Sequence, residues 1–337
     1  MIDPAALHRE LLTLDSHIDI LWPPGPDPFE ETGRCVDLPK MRRGGLAAGC
    51  FVAFVAQGPR TAEGYEAASA RAVAMLEAIR GMARSGNGLT ARVTSTAAEI
   101  EAAWRDGALA VVPAVENGHA IGADPGRLRR LRELGARYVT LAHNGHNDLA
   151  DSANPRTDFG DPAEEHGGLS ALGRTAIAEM NRLGMLVDVS HVSRKAMLQA
   201  AECSRTPVVA THSCARALCD HPRNLDDGQL EVLRDTGGVI QITAMAAFLR
   251  LKGTMETVGV ADFVNHVDHA VRQIGVAHVG ISSDFDGGGG IGGWRDASES
   301  PNLTAELVRR GYGREEIAAL WGGNFLRVLR AAEEIAA

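Results

Sequence analysis

A chain of 337 residues, 45% hydrophobic and 23% charged, has an ordinary globular composition and is long enough for one large barrel or two smaller domains. Its formal charge of -9, with no basic tract, excludes a nucleic-acid partner, whose phosphates would need a Lys/Arg surface. No run approaches the roughly 18 to 20 apolar residues of a membrane span, and the first twenty residues, carrying Asp3, His8, Arg9, Glu10 and Asp15, lack the basic start and unbroken apolar core of a secretory signal.

The expected compartment is therefore the cytoplasm, with no membrane partner. There Cys35, Cys50, Cys203, Cys214 and Cys219, none in C-x-x-C spacing, stay reduced.

In chain order, the first strand-like run is Leu11 to Leu14. The segment around it, Leu12 to Ile20, ends in His17-x-Asp19, and residues at i and i+2 of an extended chain share one side. A long polar connection, Trp22 to Lys40, separates it from the run Leu46 to Val55. Thr96 and Glu99 then form a capping-box pattern before Ile100, Ala103 and Trp104. Ala108 to Val115 is the third run, followed directly by Glu116. Leu128, Leu131 and Leu134 line a helix that Gly135 terminates, and Arg137 to Leu141 leads into His143.

After a second long connection, Asn144 to Gly168, the residues Leu172, Ala176, Ile177, Met180 and Leu183 mark another amphipathic helix, again closed by glycine. Met185 to Val189 precedes His191, Pro207 to Ala210 precedes His212, and Gly238 to Ile242 is the seventh run. Phe263, Val267, Ala270, Val271 and Ile274 mark a further helix. His278 to Ile281 is the eighth run and precedes Asp284. The glycines 287 to 290 have neither the Lys-Ser/Thr of a phosphate loop nor a G-x-G-x-x-G, so they read as a flexible loop. Thr304 onward and Arg314 to Ala332 are expected to close the chain as helices.

Eight mostly apolar runs alternating with helices predict a (β/α)8 TIM barrel of the α/β class, one catalytic domain over residues 1–337 with terminal extensions. In such a barrel the functional residues lie just past the C-terminal ends of the strands. His17, Asp19, Glu116, His143, His191, His212 and Asp284 all follow runs in this way. Three histidines, His17, His191 and His212, with the carboxylates Asp19 and Glu116 suit zinc or another divalent first-row ion. They exceed the needs of one tetrahedral site, and two neighbouring ions sharing a carboxylate would use them all. His146 competes with His143 for the mouth, Asp286 competes with Asp284, and His119 lies close to Glu116 in sequence.

The motifs DSHIDI (15–20), VENGH (115–119), RYVTLAHN (137–144) and GLSALGRTAIAEMNRLGMLVDVSHVS (168–193) continue through THS (211–213), RNLDD (223–227), HVDHAVRQIGVAHVGISSDFDG (266–287) and GGNFLRVL (322–329). In this order they resemble the membrane dipeptidase (renal dipeptidase) family, peptidase family M19, of the metal-dependent amidohydrolase superfamily. The resemblance implies two Zn2+ per chain, or other divalent metals, with His17 and Asp19 on one ion, His191 and His212 on the other, and Glu116 bridging.

It further implies that His143 stabilises the tetrahedral intermediate, that Arg223 grips the substrate carboxylate and that Asp284 handles protons. The reaction would be hydrolysis of a dipeptide by a metal-bridging hydroxide. Read on its own, Arg223 in RNLDD also fits a salt-bridged surface turn, the less favoured of the two readings.

Secreted members carry signal peptides and disulfides, and some a lipid anchor; membrane attachment is not carried over here. The loop HNGHNDLADS, with His146 and Asp148, also departs from the family. The alternative activity is therefore that of a metal-dependent amidohydrolase acting on N-acyl amino acids, another small amide or a lactone. A homodimer is left open by the sequence.

Overall fold

The structure, a computed structural model, describes residues 3–21, 23 and 25–336. Trp22 and Pro24, within the long polar connection Trp22 to Lys40, lie outside the described residues. Eight parallel strands follow one another around the sheet in chain order: β1 (Leu14–Asp19), β2 (Ala48–Phe54), β3 (Leu109–Glu116), β4 (Tyr138–Thr140), β5 (Leu186–Asp188), β6 (Val209–Ser213), β7 (Val239–Thr243) and β8 (Val279–Ser282). The ring closes near its upper rim. There Ile18 bridges to Phe285, the Asp19 N–H donates to the Phe285 carbonyl at 3.0 Å, and the Asp284 N–H donates to the His17 carbonyl at 3.1 Å. This is the expected (β/α)8 barrel.

The first strand corrects the sequence reading, because β1 begins where the apolar run ends. The helix Pro4–Glu10, capped by Asp3, stops at Leu11, and the extended chain then runs through Asp15, Ser16 and His17. Hydropathy misses a strand whose polar side chains are buried within the barrel. His17 and Asp19 thus lie within β1 rather than after it, Glu116 is the last residue of β3, and His212 lies within β6.

A short hairpin, Ser85–Gly86 with Leu89–Val93, also has no counterpart in the eight runs. Its second strand pairs in parallel with the start of β3, Ala91 opposite Leu109 and Val93 opposite Val111.

The helices form where their periodicity and caps place them. Thr96 and Glu99 make a reciprocal capping box at Ala97–Arg105. The helix Arg127–Glu133 ends before Gly135, whose φ of 107° only glycine adopts without strain. The closing segment is less regular than expected: Arg314–Ala318 passes through a π-helical turn, Ala319–Gly323, into Asn324–Ala336. A Cβ on Gly322 would stand 2.8 Å from the Leu12 carbonyl oxygen, so the chain end can press against the barrel only with glycine there.

Strand periodicity sets the interior. Leu14, Val52, Val112, Tyr138, Leu186, Val209 and Val239 pack together, closed from below by Phe325, Val328, Leu329 and Ala332 of the last helix. Two residues further along the same strands, on the same face, stand Glu116 (after Ala114), Thr140, Asp188 and Thr211. The barrel interior therefore changes from apolar to polar within one pleat.

Candidate metal centre

At that polar level Glu116, 3% exposed, holds the middle of a histidine cluster. Its Oε1 lies 3.0 Å from His191 Nε2 and 3.3 Å from His212 Nε2, and its Oε2 lies 3.6 Å from His17 Nε2. Asp19 Oδ1 is 4.0 Å from His17 Nε2 on the other side. Three overlapping groups have donor atoms within 4.8 Å of one another: His17 with Glu116 and His212, Glu116 with His143 and His191, and His17 with Asp19 and Asp284. Glu116 belongs to two of them, as a carboxylate shared between two ions would.

The backbone is bent to make this arrangement. His191 and Asp284 adopt φ of 68° and 59°, conformations that cost a non-glycine residue free energy and concentrate at functional sites.

Two of the imidazoles are held from behind, whereas His191 Nδ1 is buried without a partner. The Tyr138 hydroxyl lies 3.0 Å from His17 Nδ1, and the Thr211 hydroxyl 3.0 Å from His212 Nδ1. In both, Nε2 is the nitrogen turned to the shared carboxylate. His17 Nε2 and Asp19 Oδ1 are buried without a hydrogen-bond partner. Buried polar atoms of this kind are costly unless something satisfies them. Imidazole nitrogens and carboxylate oxygens converging at this spacing fit zinc or a similar divalent ion.

Charge crowding supports the same fit. Burial raises the Asp19 carboxyl well above its usual range, and the Glu116 charge adds to the effect. Burial, with His17 pulling the other way and Glu116 pushing upward, brings Asp284 to about 7. Burial alone would raise Glu116 too, yet His17 and His143 hold it well below the usual carboxylate range. His17 resists burial because Glu116 and Asp19 raise it to about 10, while burial and the nearby His17 push His212 down to about 3. Without cations, Asp19 and Asp284 thus tend to keep a proton while Glu116 stays ionised. Divalent ions would favour all three in ionised form.

Above the cluster opens a cavity of about 390 Å³, lined by Asp19, Glu116, His143, His191, Arg223 and Asp284. His143 Nε2 comes within 3.9 Å of Glu116 Oε1. His146 turns away, with Nδ1 accepting from the Ser152 N–H and Nε2 at 3.0 Å from the Pro162 carbonyl.

Asp284 faces the cavity, whereas Asp286 accepts from the Cys35 and Val36 N–H groups and pairs with Arg34 at 3.2 Å. The positive φ at Asp284 breaks the extended chain, so the two aspartates do not share a side. Arg223 lies in a turn, but its side chain is not at the surface. It is 3% exposed and donates to the His212 carbonyl at 3.2 Å, while Asp226 and Asp227 of the same motif cap a helix and pair with His269. His119 sits beside Gln57 and Tyr65.

Phe54, Asn144, Asn154, His221, Met245 and Phe248 also line the cavity and were not among the sequence candidates. One signal could have found two of them. Runs two and seven are the ones with no polar candidate behind them, and the structure places Phe54 and Met245 at the ends of β2 and β7.

The glycines 287 to 290 are called for by close approach: a Cβ on Gly287 would stand 2.2 Å from Asp19 Oδ2, and one on Gly289 2.0 Å from the Ser283 carbonyl oxygen.

A sequence profile of the family described as Membrane dipeptidase (Peptidase family M19) matches residues 3–337. Dipeptidase verJ of Clonostachys rogersoniana is 39% identical over 241 residues, 71% of this chain and 60% of that protein. An uncharacterized dipeptidase of Schizosaccharomyces pombe is 40% identical over 238 residues, 70% of this chain and 56% of that protein. The chain thus spans little more than half the length of these curated relatives.

Among solved structures, the probable dipeptidase PvdM from Pseudomonas aeruginosa superposes with a TM-score of 0.93 at 30% identity, covering 99% of this chain and 98% of that one. A metallo peptidase from Rhodobacter sphaeroides, liganded with a phosphinate mimic of the dipeptide L-Ala-D-Ala, gives 0.84 at 28% identity, over 96% and 99% of the two chains.

Proposed function

Because the chain belongs to the membrane dipeptidase family, peptidase family M19, we propose that it is a dipeptidase that works with two zinc ions and forms one catalytic barrel domain. The observation that carries this reading is Glu116, whose two oxygens divide between His191 and His212 on one side and His17 on the other. Glu116 would be shared by the two ions, with His17 and Asp19 holding one and His191 and His212 the other. Bound there, the ions supply a polarised peptide carbonyl and an acidified water.

The chain's own groups do the rest. His143 reaches over Glu116 and donates from Nε2 to the oxygen that gains charge as the carbonyl becomes tetrahedral. Asp284 takes the proton that the water loses and returns it to the leaving amine nitrogen as the C–N bond breaks. Arg223 binds the free carboxylate of the substrate, for which a guanidinium offers a planar pair of donors. The dipeptide mimic held by the Rhodobacter relative supports a dipeptide as substrate class. The five unpaired thiols support a reducing compartment, the cytoplasm. Among the described residues, no helix is long and apolar enough to cross a membrane.

Elemental analysis after mild dialysis tests the metal count, and a panel of L,L-, L,D- and N-acylated dipeptides tests the reaction. Two equivalents of zinc with hydrolysis of free dipeptides are expected. Full activity with one tightly bound equivalent would overturn the binuclear assignment. Faster hydrolysis of N-acyl amino acids than of any dipeptide would move the activity to the wider amidohydrolases.

A further inference from the structure

Asp188, fully buried at the end of β5, spends both carboxylate oxygens on four donors. Oδ1 accepts from the backbone N–H groups of Ser190 and Thr211, each at 3.0 Å. Oδ2 accepts from the hydroxyls of Thr140 at 2.5 Å and Thr211 at 2.7 Å. A threonine hydroxyl has a single proton, and that of Thr211 is committed to Asp188. Toward His212 Nδ1, 3.0 Å away, the same oxygen can therefore only accept. The proton of that contact belongs to the imidazole, which leaves a lone pair on Nε2, 3.3 Å from Glu116 Oε1.

His17 Nδ1 lies 3.4 Å from the same Thr211 hydroxyl and is held more closely by a second hydroxyl. There the Tyr138 hydroxyl donates to the Ser16 carbonyl at 2.9 Å, so it too must accept from the imidazole Nδ1.

We propose that Asp188 is a positioning residue: through Thr211 it fixes the proton of His212 on Nδ1 and keeps Nε2 open for a divalent cation. This rests on the reading of His212 as a metal ligand. Partners that orient a ligating histidine typically change metal affinity by about 10- to 100-fold when removed.

The decisive variant is Asp188→Asn. Its amide oxygen can keep the two backbone donors of Oδ1, which places the NH2 group against the Thr140 and Thr211 hydroxyls. Two donors cannot face each other, so the Thr211 proton turns to the nearest remaining acceptor, His212 Nδ1. That drives the imidazole proton to Nε2, the wrong tautomer for binding.

In metal-free protein labelled with 15N-histidine, His212 should carry its proton on Nδ1 in the wild type and on Nε2 in Asp188→Asn. In competition with a chelator, zinc affinity should fall about 10- to 100-fold in Asp188→Asn. Thr211→Val should lose a similar factor, and Thr211→Ser, which keeps the hydroxyl, should be close to wild type.

A His212 proton that stays on Nδ1 in Asp188→Asn overturns the proposal, as does unchanged zinc affinity in that variant. Should Asp188→Asn not fold, equal zinc affinity of Thr211→Val and Thr211→Ser overturns it instead. Failure of the wild type to bind zinc would count against the metal reading, while the tautomer shift in metal-free protein would still test the relay.

Discussion

The lower and upper levels of the barrel interior come from the same eight strands, one pleat apart, and they hold opposite chemistry. Below, Val52, Val112, Leu186, Val209 and Val239 pack on Phe325 and Leu329 with no polar group to satisfy except the Tyr138 hydroxyl, which points upward to Ser16 and His17. Above, Glu116, Asp188, Thr211 and the histidines bury polar atoms together, at a cost that only partners or cations offset. The lower level accounts for a stable barrel, and the upper level carries the groups of the proposed reaction. The difference teaches that stability and activity can be damaged separately here, which gives each level its own mutational signature.

The largest effect is expected at the centre of the upper level. Glu116→Gln puts a neutral amide where two cations would share a carboxylate, so at least one metal equivalent should be lost. Activity at limiting zinc should fall by more than the roughly 100-fold typical of losing a residue behind a ligand. The fold should survive, since the lower level is untouched. Metal content and the thermal midpoint, measured on one preparation, check this. Near-wild-type activity at limiting zinc would remove Glu116 from the bridging position.

The converse damage comes from Phe325→Ala on the floor. Deleting a buried phenyl ring typically costs about 3 to 5 kcal/mol through lost transfer free energy and the cavity left behind. Urea unfolding should show that loss, with metal content per folded chain unchanged. If zinc is lost in proportion to stability, the two levels are not separable and the comparison fails.

The two levels were also unequally legible in the sequence. The floor and the strand order follow from eight apolar runs and their alternation with helices, because hydrophobic periodicity is what a barrel core imposes on a chain. The upper level is where periodicity stops helping. The apolar run Leu11 to Leu14 lies ahead of β1 because the polar Asp15, Ser16 and His17 give no hydropathy signal, although the strand runs through them. The hairpin at Leu89–Val93 escaped because its short strand carries Arg92 and pairs at only three positions.

The candidate residues themselves, His17, Asp19, Glu116, His143, His191, His212, Arg223 and Asp284, stand out by residue type, position and motif; the structure brings six of them to one cavity and sets His17 and His212 against Glu116 in its wall. Asp188 and Thr211 do not stand out, although both lie inside quoted motifs. Their contribution is a matter of which proton sits where, and only hydrogen-bond geometry states it.

Asp284→Asn separates the upper level internally, proton transfer from metal holding. The amide cannot accept and return a proton, so kcat should fall by roughly 100-fold or more, while both zinc equivalents and much of the substrate affinity remain. A metal-loaded Asp284→Asn enzyme that works at close to the wild-type rate would pass the proton-transfer assignment to another group. Asp286, tied to Arg34 and to the Cys35 and Val36 amides, would need to break those contacts to take it.

The smallest effect is expected from the substrate rather than the enzyme. Arg223 is a buried cation that lines the cavity, so a carboxylate arriving there would meet a guanidinium largely shielded from bulk water. Burial, offset in part by Glu116 and Asp284, lowers its pKa only to about 10, so it stays charged at neutral pH. A hydrogen bond to a charged group contributes about 1.5 to 3 kcal/mol, which corresponds to roughly a 10- to 100-fold factor in kcat/KM. A dipeptide amidated at its C-terminus should therefore be a poorer substrate by about that factor, and Arg223→Met should erase most of the discrimination by slowing the free acid far more than the amide. Equal kcat/KM for the acid and the amide with the wild-type enzyme would show that the cavity does not read the carboxylate through Arg223.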